Sequence, residues 1–143
     1  MLLKMILSGL AATRAMTDAM NAAPKAGLAQ VDIASILGSL FNNGKSAEKG
    51  SREWKLGMGL HYLLGALIFP MAYNVLFKRF LVGGPKLKHL EWGVGLWGGG
   101  QYVVMPALKK YGYFKAAPDA KLTYLIGHLI YGFVFGGEPK KHK

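Results

Sequence analysis

The stretch Trp54–Phe77, WKLGMGLHYLLGALIFPMAYNVLF, decides how the rest of this chain is read. At about 1.5 Å per residue it is long enough to cross a hydrocarbon core of about 30 Å. Trp54 and Lys55 mark an interface at its start, and Lys78 and Arg79 stop it at the other end. Pro70 is expected to kink it late. Gly57, His61 and Gly65 recur every four residues, which places all three on one helical face. A second histidine–glycine face follows in GHLIYGFVFGG: His128, Gly132 and Gly136.

The composition agrees with a membrane chain. Of 143 residues, 52% are hydrophobic and only 17% charged, below the usual quarter. Glycine, at 20 residues, is about twice its normal usage, as in helices whose backbones approach closely in lipid. With Cys 0, disulfides, thiolate metal sites and iron–sulfur clusters are excluded. The net charge of +11 invites a nucleic-acid partner, but the basic residues fall in the gaps between apolar runs. Lys78–Arg79, Lys86, Lys88, Lys109–Lys110 and Lys140–Lys141 sit where headgroup-level residues belong, so the expected partner is the bilayer and not nucleic acid.

Read outward from that stretch, the chain is a single membrane domain of residues 1–143, an all-α four-helix bundle. Spans are expected at about 5–23, 54–77, 90–108 and 119–137. A short interfacial or re-entrant helix at about 31–41 precedes the flexible loop 42–51, and 138–143 forms a charged tail. LVGGPKLKH, 81–89, reads as a tight turn. Pro118–Asp119 opens the fourth helix. The basic N-terminal segment is expected to be retained, since Arg14 interrupts the region where a cleavage site would sit. In the first span Ala11, Ala15, Ala19 and Ala23 make a small-residue stripe. Gly57, Gly65, Gly95, Gly99, Gly132 and Gly136 are the expected helix-packing positions. Four spans put both termini on one side, and the dense Lys and Arg of the second loop favour the cytoplasm.

Counting along the spans puts polar side chains of all four at one depth: Arg14, Asp18, His61, Gln101 and His128. Arg14 and Asp18 are four apart and can pair. Such a layer can be purely structural, each group satisfying another. Two histidines at one depth on different helices can also ligate a b-type haem, with His61 and His128 as axial ligands. A lipid or quinone headgroup site is a third use of the layer, and transport of a small molecule, proton or metal ion a fourth. Methionines Met16 and Met20 read as core. No catalytic constellation is present: there is no nucleophile motif, no H-E-x-x-H and no P-loop.

Gly59-x-His61 with Gly65, Phe69-Pro70 and Tyr73, then Val104-Met105-Pro106, then Gly127-His128 with Tyr131-Gly132 follow in order. Over 5–137 these resemble small bacterial inner-membrane proteins of four predicted spans, a domain of unknown function. The resemblance implies an inner-membrane location and four helices, and no activity. With small size and no catalytic chemistry, the expected role is not enzymatic. It is that of an accessory or assembly subunit packed against other membrane-protein subunits, with no cofactor unless the haem b alternative holds.

Overall fold

The computed structural model describes residues 1–114 and 119–137, and these are helical and loop, with no strand among them. Among the described residues, four long helices and one short one make the fold. Helix α1 is Leu2–Ala22. Helix α2 is Ile33–Gly38, extended by a 3₁₀ turn at Ser39–Phe41. Helix α3 is Arg52–Phe77, α4 covers 85–110, and α5 is Lys121–Phe135. Of these, α3 alone is long and apolar enough to cross a membrane, with a mean hydropathy of 1.5; α5 is apolar but shorter. The tail 138–143 and the Pro118 start of the fourth helix lie outside the described residues.

Local chemistry sets the helix ends. Asp32 caps α2 by accepting from the Ser35 N–H, and its carboxylate also takes the Trp54 indole N–H at 3.0 Å. Ser51 caps α3 by accepting from the Trp54 N–H. Pro85 stands in the first turn of α4, where its missing N–H costs nothing. The turn expected over 81–89 therefore ends at Gly84, and its second half is already helix.

Both proline-containing helices widen just before the proline. In α3 the Phe69 N–H reaches back five residues to the Leu64 carbonyl, making Leu64–Ile68 a π-helical turn. In this register the Gly65 carbonyl should take an N–H from residue 70, which is proline and has none. The Tyr131 hydroxyl donates to it instead, at 2.6 Å and fully buried. In α4 the Met105 N–H likewise reaches Gly100, and Pro106 follows.

Helix α1 packs against α3 and α5, and α4 packs against α5. Its inner face is Gly9, Ala12, Thr13, Met16, Thr17 and Met20, all buried. A β-carbon on Gly9 would stand 2.8 Å from the Ala66 Cα, so α1 and α3 touch backbone to backbone. The expected alanine stripe is not the contact: Ala11 is exposed, Ala15 and Ala19 are half-buried, and Ala23 alone is buried. Two faces of α1 have small residues every four positions, and the one with Gly9, Thr13 and Thr17 points inward. The start of α1 meets the end of α5, where Ser8 donates to the Phe135 carbonyl at 2.8 Å.

Candidate functional site

Helices α3 and α4 are joined by a short turn and touch through Tyr73, Phe77, His89 and Trp92. Away from that turn they leave a cavity of about 490 Å³ between them. Residues of α1 and α5 line it as well, including Thr13, Met16, Tyr124, His128 and Tyr131. Ile33, Ile36, Leu37 and Phe114 line it too. The groove follows α4 from Glu91 to Met105, roughly 20 Å of helix.

His61 and His128 both line this groove and lie close enough to interact electrostatically. Their hydrogen-bond partners favour one tautomer of each. Thr17 has one hydroxyl hydrogen and donates it to the Thr13 carbonyl at 2.8 Å. The arrangement that satisfies all three groups has Thr17 accepting from His61, 2.9 Å away, with the hydrogen on Nε2. On His128, Nδ1 faces the Tyr124 carbonyl at 2.7 Å and must donate to it. Each neutral imidazole is thus held by one N–H and keeps one bare lone pair, on His61 Nδ1 and His128 Nε2.

The five-residue polar layer is only partly realised. His61, His128 and Gln101 line the same groove. Arg14 and Asp18 do pair, at 2.9 Å, but on the outer face of α1 with side chains 71% and 59% exposed. They are one position away from Thr13 and Thr17, a rotation of about 100° on a helix, which takes them off the packed face. The threonines hold the place given to the ion pair. Gln101 is also displaced. Gly93 packs on the His128 carbonyl, so Gln101 lies roughly 12 Å further along α4. A span ending at 108 sets Gln101 level with the histidines, whereas α4 continues to Lys110 and is offset against α5.

Four of the six predicted glycines are close contacts. Gly57 meets the Ala34 carbonyl and the Gly38 backbone, Gly65 meets Thr13, and Gly132 and Gly136 meet His89. Gly95 and Gly99 are not packing positions: a β-carbon on either would meet nothing within 4 Å. Both line the groove, with Gly100 beside them. The sequence reading missed Thr13 and Thr17, although Gly9, Thr13 and Thr17 share a period of four that could have found them. It also missed Trp92 and Tyr124, whose indole N–H and hydroxyl are buried without a protein partner on the groove wall.

Two imidazoles whose other N–H is held by protein oxygens are oriented as metal-ligating histidines are. Among the described lining residues, however, Glu91 is the one charged side chain, and no lysine or arginine is present. The walls do not suit the two carboxylates of haem b. No group of three or more metal-binding side chains occurs among the described residues.

A family model described as a family of unknown function, DUF6789, matches residues 1–140, and the chain belongs to that family. No curated protein and no solved structure matches it.

Proposed function

We propose that this family member is a four-span protein of the bacterial inner membrane and serves as an accessory subunit of a larger membrane assembly. The observation that carries the reading is the pairing of an apolar exterior with one exposed ion pair. Large apolar side chains project outward from every long helix: Leu7, Val75 (65% exposed), Val103 (66%) and Phe133 (72%) among them. An exterior of this kind fits lipid far better than water. In lipid, an outward Arg14–Asp18 pair is costly unless another protein covers it. Ala11 and Ala15 beside it would let a second helix approach closely. The outer face of α1 is therefore the contact surface, and the partner is a membrane helix with polar groups at matching depth.

The test is extraction from native membranes in a mild detergent. The chain should resist carbonate washing and migrate in a complex larger than itself. Arg14→Leu with Asp18→Leu should release it from that complex while leaving it folded. A wild-type chain that runs alone and monodisperse would defeat the proposal.

A further inference from the structure

We infer that the α3–α4 groove binds a neutral, lipid-soluble molecule of the quinol class: a flat ring with hydroxyl donors and an apolar tail. The site is separate from the α1 contact surface, and four features define its occupant. The first is polarity. His61 Nδ1 and His128 Nε2 are both acceptors once their partners Thr17 and Tyr124 are satisfied. A head group that donates satisfies both of these acceptors, which a quinone carbonyl cannot do. The second is shape. Running on from the histidines, α4 presents Gly95 and then Gly99, which no neighbour crowds, so the wall there is flat backbone that admits a ring edge-on or face-on.

Charge is the third feature. With no basic side chain on the lining and Glu91 at one end, an anionic lipid or a carboxylate ligand is disfavoured. The fourth is the run of apolar wall beyond the histidines, through Leu96, Val104, Met105, Phe114 and Ile36. That run receives a tail of isoprenoid or alkyl character. The buried Tyr124 hydroxyl and Trp92 indole N–H add two polar atoms that no protein group satisfies.

The test uses the full chain in mild detergent, under reducing conditions, with a short-chain naphthoquinol and its dimethyl ether. The ether keeps the ring and tail and lacks the donors. Binding is read by quenching of tryptophan fluorescence, since Trp92 and Trp97 line the groove. The quinol should bind about tenfold or more tightly than the ether, the usual effect of one or two hydrogen bonds. His128→Phe should remove part of the quinol's advantage, with His61 still accepting, and leave ether binding unchanged. Should that variant misfold, Gly99→Leu fills the groove without touching either histidine, and it should weaken both ligands together. Equal affinities for quinol and ether in the wild type would overturn the assignment. So would a Gly99→Leu variant that binds both as the wild type does. A tightly held haem with a Soret band, not displaced by the quinol, would overturn it in favour of the cofactor.

Discussion

Helices α3 and α4 carry the same local device and use it oppositely. Each has a glycine face, a π-helical turn and an X-Pro step directly after it. In α3 the glycines are filled by neighbours: Gly57 by α2, Gly65 by Thr13 of α1. The carbonyl that Pro70 leaves without a donor is taken by Tyr131. In α4 the glycines at the corresponding place, Gly95 and Gly99, face open space. One helix is locked into the bundle, and the other leans on α5 and forms the loose wall of a groove. Glycine in an apolar helix thus has two meanings, close contact or vacant wall, and only the neighbour decides between them.

Leucine substitutions should break the comparison most strongly. Gly57→Leu drives a side chain into the Ala34 carbonyl and the Gly38 backbone, neither of which can move aside, and should abolish folding. Gly99→Leu has room, so folded yield should stay near wild type. Size-exclusion profiles of the two variants in detergent check this.

The next effect is on the repaired carbonyl. Tyr131→Phe leaves the Gly65 carbonyl buried without a donor and should cost about 1–3 kcal/mol. Its melting temperature should fall, whereas a Tyr→Phe change at exposed Tyr102 should do little. A smaller loss, about 1 kcal/mol, is expected for Thr17→Val, which removes the acceptor that holds His61. This variant should also weaken quinol binding, because a released imidazole no longer presents one defined lone pair. The smallest effect on stability is expected at the exterior. Asp18→Asn loosens an exposed pair, and the melting temperature of the isolated chain should not change measurably.

Much of the helical framework was legible in the sequence, because apolar length and the basic stops mark helices without reference to neighbours. The two histidine faces were legible for the same reason: Gly57–His61–Gly65 and His128–Gly132–Gly136 each define one stripe. What lies between helices was not. Period four fits Ala11–Ala15–Ala19 as well as Gly9–Thr13–Thr17, and hydropathy does not say which stripe α1 turns inward. The Arg14–Asp18 pair looked like the polar content of the core because it was the only charged content of that helix's middle. Burial went to threonines, whose hydroxyls can bond the helix backbone itself. Counting from helix ends does not give the depth of Gln101, because α4 runs past the start of α5. The open state of Gly95 and Gly99 follows from how α4 leans, a tertiary fact with no local signature.

The central claim, that the glycine face of α3 is packed and that of α4 is open, is tested most directly by paired melting curves. Gly57→Ala and Gly99→Ala would be heated side by side in the same detergent. Gly57→Ala should lower the melting temperature through overpacking worth about 1–3 kcal/mol. Gly99→Ala should leave it unchanged or raise it, since alanine is better than glycine in a helix by about 1 kcal/mol. A fall at Gly99→Ala as large as that at Gly57→Ala would contradict the account, because it would mean that α4 packs there and no groove exists.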